Sequence, residues 1–128
     1  MAIPSKVKKL LAKDKLIVFG TSNKNGKPNL IFVASCGLFN NKLLIADCQM
    51  NKTLKNLKGN KAVALCAFDK QNYFQIKGKA LYTNKGKWFK LVKKYCEDTR
   101  YKPKGAVLVT IKEVYNLDNG KRINIKLI

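Results

Sequence analysis

Residues 47–68, DCQMNKTLKNLKGNKAVALCAF, place a short helix between two strand-like runs and are the most informative part of the chain. Asn51 is a suitable residue to cap this helix, and Gly59 is a suitable residue to end it. Leu54 and Leu57 give the helix an apolar stripe, so we expect it to pack on a neighbouring element.

The first turn of this predicted helix carries Lys52 and Thr53, although the positive end of a helix dipole favours an acidic residue. The first N–H groups of a helix have no partner inside it, and they form a ready site for an anion. An ammonium and a hydroxyl beside those groups suit a phosphate. We therefore predict that a phosphate group binds at Lys52 and Thr53.

The segments on either side of this helix predict a mainly β fold with short helices. An Asn-Gly turn in residues 23–27 separates two β-rich runs and predicts a hairpin. The tail GKRINIKLI is expected either to add a short edge strand or to cover the core. Strands are predicted over residues 16–22, 28–39, 43–47, 61–68, 73–83 and 106–117, and further helices over 4–15 and 85–96. The run 61–68 is almost entirely apolar and predicts a strand buried on both faces. Six strands joined mostly by short turns indicate a small antiparallel barrel rather than a dinucleotide-binding fold.

The chain has 128 residues, which fits one domain over residues 1–128, and its net charge is +20. It has neither an apolar run long enough to span a bilayer nor a signal peptide, so we expect a cytoplasmic protein. The charge attracts polyanions, but Arg100 and Arg122 are the only arginines and the lysines are spread over the whole sequence. Because reading of base edges favours arginine, we regard nucleic acid as a weak candidate for the partner.

The sequence contains no histidine, which removes histidine-dependent nucleophilic catalysis, histidine-ligated haem and the usual zinc hydrolase sites. No metal site is expected, and the seven acidic residues form no paired acid–base motif. The four cysteines lack the C-x-x-C spacing and are interpreted as reduced structural thiols: Cys36, Cys48, Cys66 and Cys96. Redox chemistry in such a protein would be carried by a cofactor.

The order and spacing of the segments resemble the flavin-binding split-barrel proteins of the pyridoxamine 5′-phosphate oxidase-like superfamily, especially the small FMN-binding members. The resemblance runs from about residue 4 to Arg122, and MNKTLKNL is its most specific part. The other matching segments are GKPNLIFVASCG, LLIADCQ, YFQIKGKALY, KPKG and AVLVTIKEVYNL. This resemblance implies a six-stranded antiparallel split β-barrel and a single FMN-binding domain.

The resemblance also implies the site. Lys52 and Thr53 would hold the FMN phosphate, with Asn51 in contact with it, and the flavin would lie along the second strand and the end of the third. The residues implied there are Phe32, Val33, Ala34, Ser35, Asp47, Cys48 and Gln49. The cofactor of such proteins lies at a homodimer interface, where Trp88 and the loop from Tyr101 to Lys104 are candidates to complete the partner's site.

The function implied is that of a small flavoprotein, either an oxidoreductase or an electron-transfer protein. The chain is shorter than the oxidases that act on pyridoxamine phosphate and lacks their substrate-side histidine, and both departures argue against that activity. Two alternatives stay open: a split barrel that binds the deazaflavin F420, and a small basic barrel that binds nucleic acid. Haem is disfavoured by the lack of histidine.

Overall fold

The first two strands meet around the Asn-Gly turn. In the computed structural model, which describes residues 3–125, β1 (Leu16–Ser22) pairs antiparallel with β2 (Pro28–Phe39). The side-chain oxygen of Asn23 accepts two backbone N–H groups inside the turn, each at 2.9 Å. Gly26 has a φ of +84°, which glycine adopts without steric cost. The predicted hairpin is therefore confirmed.

The sheet closes on itself. Its strand order is β3-β2-β1-β4-β5-β6-β7, and an additional pairing of β3 with β6 joins the first six strands into an antiparallel barrel. The short β7 pairs with the far end of β6, which confirms the predicted edge strand. The remaining elements are β3 (Lys42–Asp47), β4 (Ala62–Phe68), β5 (Tyr73–Thr83), β6 (Gly105–Asn116), β7 (Lys121–Ile123), α1 (Ser5–Leu10), α2 (Lys52–Gly59) and α3 (Gly86–Cys96). The predicted mainly β split barrel with short helices is confirmed.

Alternation along the strands fills the barrel interior with apolar side chains. Ile17, Phe19, Ile45 and Ile76 are among the fully buried members of this core. A second, smaller cluster lies outside the barrel, where Val92 of α3 packs with residues of β2, β3 and β6. Strands β3 and β6 are therefore buried on both faces, and α3 brings its last turn close to the end of β3.

Strand β4 differs from its prediction. Val63, Leu65 and Ala67 are buried, but Ala64 and Cys66 are only half-buried, so one face of this strand is covered and not both. The physical reason is the position of α3, which covers β3 and β6 and not β4.

None of the helices in residues 3–125 has the length and the apolar composition that a membrane-spanning helix needs.

The bounds of α2 agree with the prediction, but the contacts at its ends differ from it. Asn51 occupies the N-cap position, but its side chain makes no capping hydrogen bond. Gly59 is the last helical residue, so the helix ends where the sequence predicts. Asn60 ends the helix in an extended conformation, and its side-chain amide donates to the hydroxyl of Ser22 at 3.0 Å. This bond joins the end of α2 to β1.

Candidate functional site

A cavity of about 640 Å³ lies where β2, the end of β3, the start of α2 and the end of α3 meet. Most of the residues that the sequence analysis singled out line it, and they come from two separate segments of the chain, one in β2 and one between β3 and the start of α2. These residues are Phe32, Val33, Ala34, Cys48, Gln49, Asn51, Lys52 and Thr53. A cavity of this volume is in the usual range for a cofactor or other small ligand.

The side chain of Asp47 does not reach this cavity. Its carboxylate is fully buried, and it accepts hydrogen bonds from the backbone N–H of Met50 at 2.8 Å and from the hydroxyl of Tyr82 at 2.6 Å. Burial and this hydrogen bond raise the pKa of Tyr82, so its hydroxyl remains a donor. The structure thus gives the side chain of Asp47 the role of an anchor for the turn before α2, and a cofactor contact at this residue stays a prediction.

Ser35 is also placed away from the cavity. Its hydroxyl is fully buried, donates to the carbonyl of Leu11 at 2.7 Å and accepts the N–H of Gly37 at 3.0 Å. The same stretch of β2 carries an irregularity in its pairing with β3. The side chain of Ser35 therefore fixes the bend of β2 against the end of α1, because both of its hydrogen-bonding functions are used inside the protein.

The start of α2 places a positive charge, Lys52, at the cavity wall. Its first turn contains no acidic residue, Lys52 is exposed, and the first N–H groups of a helix have no partner within it. The side chain of Thr53 is only 2% exposed, and its hydroxyl accepts the side-chain amide of Asn29 at 2.9 Å. This accepted bond leaves the hydroxyl proton of Thr53 available, so the helix start is suited to bind an anion.

The turn that leads into α2 is held from a distant loop. The ammonium of Lys104 donates to the carbonyl of Met50 at 2.8 Å, and the N–H of Lys104 donates to the carbonyl of Asp47 at the same distance. Lys104 was a candidate to complete the site of a partner chain, but in this structure it supports the turn of its own chain. Its charge also adds to the positive potential at the start of α2.

The other two candidates for a partner's site have different positions. Tyr101 lines the cavity of its own chain, whereas Trp88 does not reach it. Trp88 is half-buried and packs edge-on against Phe39, with 5.4 Å between the ring centroids. Tyr101 therefore belongs to the cavity wall of its own chain, whereas Trp88 packs from α3 against Phe39.

Sequence reasoning missed several residues of the cavity. Asn29 is one of only two hydrogen-bonding side chains in the apolar run of β2, and that contrast is a signal that could have identified it. Tyr95, Cys96 and Thr99 come from the end of α3, and no local pattern connects them to β2. The hydroxyl of Tyr95 donates to Asp14, and burial together with this bond raises the pKa of Tyr95.

No group of three or more acidic, cysteine or histidine side chains among residues 3–125 is arranged to hold a metal ion. The cavity is largely apolar, and a site suited to bind an anion lies at the start of α2. Thiol and tyrosine hydroxyl groups lie at one side of the cavity.

Comparisons with known proteins agree with this architecture. The family model for pyridoxamine 5′-phosphate oxidase matches residues 3–118. An uncharacterized protein of Methanocaldococcus jannaschii is 35% identical over 114 residues, which are 84% of this chain and 76% of that protein. HupZ of Group A Streptococcus has the same fold, with a TM-score of 0.85 and 19% identity over 95% of this chain and 99% of that chain. An FMN-binding protein of Syntrophomonas wolfei matches with a TM-score of 0.74 and 13% identity, over 95% of this chain and 86% of that one.

Proposed function

Because the chain belongs to the pyridoxamine 5′-phosphate oxidase family, we propose that it is a single FMN-binding domain that acts as a small oxidoreductase or electron carrier. The observation that carries this proposal is the position of the start of α2, with Lys52 and Thr53, at the wall of a cavity large enough for a flavin nucleotide. The FMN-binding protein of Syntrophomonas wolfei, which has the same fold, supports the choice of cofactor.

The residues present fit such a group. Lys52, Thr53 and the first N–H groups of α2 would hold the phosphate, with Asn51 beside it. Val33 and Ala34 of β2 line the cavity with small side chains, which allow a flat ring to approach the strand. A bound flavin supplies one- or two-electron transfer, and the protein supplies its orientation and its electrostatic environment.

We also propose that the protein is a homodimer, joined through the outer face of β2, β1 and β4. In the pairing of β1 with β2, Val18 lies opposite Phe32 and Gly20 lies opposite Leu30. In the pairing of β1 with β4, the same two residues lie opposite Cys66 and Ala64, so all six residues are on one face of the sheet. Leu30 and Phe32 are 68% and 69% exposed, although both are large and apolar. The outward residues of the three strands are uncharged: Leu16, Val18, Gly20, Ser22, Pro28, Leu30, Phe32, Ala34, Ala62, Ala64, Cys66 and Phe68.

This uncharged face is next to the cavity, because Phe32 and Ala34 belong to both. A second copy placed on the face would therefore cover the open side of the cavity. A face without charge is also the part of a +20 molecule that a second copy approaches with the least repulsion. Two observations, the apolar exposure and the continuity with the cavity, thus support a flavin site at a homodimer interface.

The experiment for the cofactor compares FMN with riboflavin, which lacks the phosphate. We expect the purified protein to be yellow, or its apo form to bind FMN and to bind riboflavin more weakly. Lys52→Ala combined with Thr53→Ala should weaken FMN binding by about 3–6 kcal/mol, at roughly 1.5–3 kcal/mol for each charge-assisted bond. Riboflavin binding should change little, since the two side chains act on the phosphate.

Lys58→Ala is the matched control, because Lys58 lies in the last turn of the same helix. It removes one positive charge and should leave the preference for FMN over riboflavin in place. Equal losses for FMN and riboflavin in the double variant would contradict the phosphate assignment. Uptake of F420 without FMN would indicate the deazaflavin alternative, and salt-sensitive binding of oligonucleotides without any flavin uptake would indicate the nucleic-acid alternative.

A further inference from the structure

The outer surface of the barrel differs in charge between its two halves. The outer residues of β2, β1 and β4 are uncharged, whereas those of β5, β6, β7 and the start of β3 include lysine, arginine and tyrosine side chains. These strands come from distant parts of the sequence, so the even spread of lysines along the chain conceals a cluster that the sheet assembles. We call this surface the basic sheet face, and its members are Lys42, Lys77, Lys79, Arg122, Tyr73 and Tyr115.

The strand register brings the lysines of the basic sheet face together. Lys79 of β5 lies opposite Thr110 of β6, and Thr110 lies opposite Lys42 of β3 on its other side. Lys77 is two residues from Lys79 on the same strand, so it points to the same side of the sheet. Lys77 and Lys79 are exposed, and Lys42 is half-buried. Three ammonium groups therefore lie on one side of three adjacent strands.

The aromatic members lie on two of the same strands. Tyr73 begins β5 and is 43% exposed, and Tyr115 of β6 lies beneath the ammonium of Lys77, with 5.4 Å between the Nζ atom and the ring centroid. Arg122 of β7 lies opposite Tyr115. Glu113, an acid on this face, accepts the hydroxyl of Tyr115 at 2.6 Å and lies 3.8 Å from the guanidinium of Arg122. Its charge is therefore already paired, and the face stays positive.

We propose that the basic sheet face binds single-stranded RNA. Lysine ammonium groups attract phosphates without reading the base sequence, and exposed aromatic rings give unpaired bases a surface for stacking. The part of β5 from Tyr73 to Lys79 is about 20 Å long at roughly 3.3 Å per residue, which is enough for the two or three bases that sheet faces of this kind hold. A duplex is disfavoured, because its paired bases cannot stack on the tyrosines.

Two uncharged polar side chains favour RNA over DNA. Gln75 lies between Tyr73 and Lys77 along the outer side of β5, and Thr110 lies between Lys79 and Lys42 across the strands. Both are half-buried, and neither side chain hydrogen-bonds to another residue in the part of the chain that the structure describes. An amide and a hydroxyl at these positions are available to bond to ribose 2′-hydroxyl groups, which DNA lacks.

The basic sheet face is separate from the proposed flavin site. The cavity is lined by β2, the end of β3, the start of α2 and the end of α3, and the members of the face are not among its lining residues. RNA binding is therefore expected together with flavin uptake and not in place of it. The face begins at β5, where the uncharged surface of β2, β1 and β4 ends, so a homodimer would carry two such faces.

The test measures the fluorescence anisotropy of a labelled 15-residue oligouridylate as the purified full chain is added. Because four phosphate contacts give a salt slope of about −2.8 for a single strand, we expect affinity to fall roughly 50-fold between about 50 and 200 mM salt. Lys77→Ala combined with Lys79→Ala should halve the slope, so that the same increase in salt lowers affinity only about sevenfold. FMN uptake by this variant should match that of the wild type.

Lys93→Ala combined with Lys94→Ala is the matched control, because it removes two exposed lysines from the last turn of α3 and not from the sheet. It should keep the salt slope of the wild type. Equal changes of slope in the two double variants would overturn the proposal, since the net charge of +20 and not this face would then attract the RNA.

Tyr73 provides a test of stacking. Tyr73→Ala should weaken binding at least about fivefold, which is the lower limit for the loss of one stacked base, whereas Tyr73→Phe keeps the ring and should bind like the wild type. Circular dichroism checks that both variants fold. An oligodeoxyuridylate of the same length and an RNA duplex should bind more weakly than the oligouridylate. Equal affinity for either of them, or no binding of the oligouridylate at about 50 mM salt, would overturn the proposal.

Discussion

At the scale of single residues, Tyr82 connects the sheet to the turn that precedes α2. Its hydroxyl donates to the buried carboxylate of Asp47 at 2.6 Å, and Asp47 in turn holds the N–H of Met50. Gly105 leaves the space that the ring occupies, because a Cβ at that position would collide with the ring and hydroxyl of Tyr82. The geometry of the phosphate-binding candidate therefore depends on a tyrosine outside the cavity.

We predict that Tyr82→Phe lowers the free energy of unfolding by about 1–3 kcal/mol, because the buried carboxylate of Asp47 loses one of its two hydrogen-bond donors. The measurement is urea unfolding followed by circular dichroism. Tyr73→Phe is the matched control: Tyr73 is 43% exposed and its hydroxyl donates to the carbonyl of Lys70 near the surface. Equal losses in the two variants would show that the bond to Asp47 is not special.

The contrast between Lys52 and Asp47 shows what the sequence could predict at this scale. A phosphate site could be predicted at Lys52 from the local sequence, because a positive charge at the positive end of a helix dipole is unfavourable unless an anion binds there. The buried hydrogen bonds of Asp47 and Ser35 were not predicted, because a polar residue near a strand end suits either a ligand or a buried anchor. Their partners decide between these roles, and Tyr82 and Leu11 lie too far away in the sequence for any local pattern to reveal them.

At the scale of elements, α2 depends on its contacts with the sheet. It has eight residues, and isolated helices of that length are marginal in water. Leu57 is buried beneath it, and three side-chain amides connect the helix to the β1–β2 hairpin. These bonds join Asn29 to Thr53, Asn56 to Thr21 and Asn60 to Ser22, at 2.9, 3.0 and 3.0 Å.

We predict that Asn56→Ala increases amide hydrogen exchange in α2 by about three- to tenfold, since one net hydrogen bond is worth roughly 0.5–1.5 kcal/mol. Exchange in the barrel strands should change little. Lys55→Ala, on the exposed side of the same helix, is the control and should leave the exchange of α2 unchanged. A uniform increase over helix and sheet would mean that Asn56 supports the whole fold and not this element.

The elements themselves were largely predictable, because turn residues mark the ends of the strands and some strands also alternate in polarity. Pro28–Phe39 and Tyr73–Thr83 match their predicted ranges at both ends. The prediction for β4 was wrong in one respect, the burial of its second face, because that depends on where α3 packs. Which face a helix covers is a tertiary property, and the composition of the strand carries no information about it.

At the scale of the whole molecule, charge opposes compactness. The chain has 27 basic and seven acidic residues, and the part that the structure describes contains one ion pair, between Arg122 and Glu113 at 3.8 Å. We predict that the melting temperature of the apo protein rises between about 0.01 M and 0.15 M sodium chloride, where the Debye length falls from about 30 to 8 Å. Differential scanning fluorimetry measures this change. A fall in melting temperature would mean that favourable charge pairs outweigh the repulsion.

The same repulsion makes the uncharged face of β2, β1 and β4 the most informative place to test assembly. Leu30 lies at its centre, opposite Gly20, so Leu30→Asp puts a buried charge into any interface formed there. We expect the wild type to sediment as a dimer and Leu30→Asp as a monomer. Leu117→Asp, at a leucine that is 46% exposed just beyond β6, should remain a dimer.

FMN affinity provides a second measurement on the same variants. Leu30 does not line the cavity, so any loss of FMN binding in Leu30→Asp must come from loss of the second copy and not from a direct contact. We expect that loss to accompany dissociation, because the partner would cover the open side of the cavity beside Phe32 and Ala34. A monomeric Leu30→Asp variant with full FMN affinity would show that each chain forms its flavin site alone, whereas a dimeric variant would place the interface on another face.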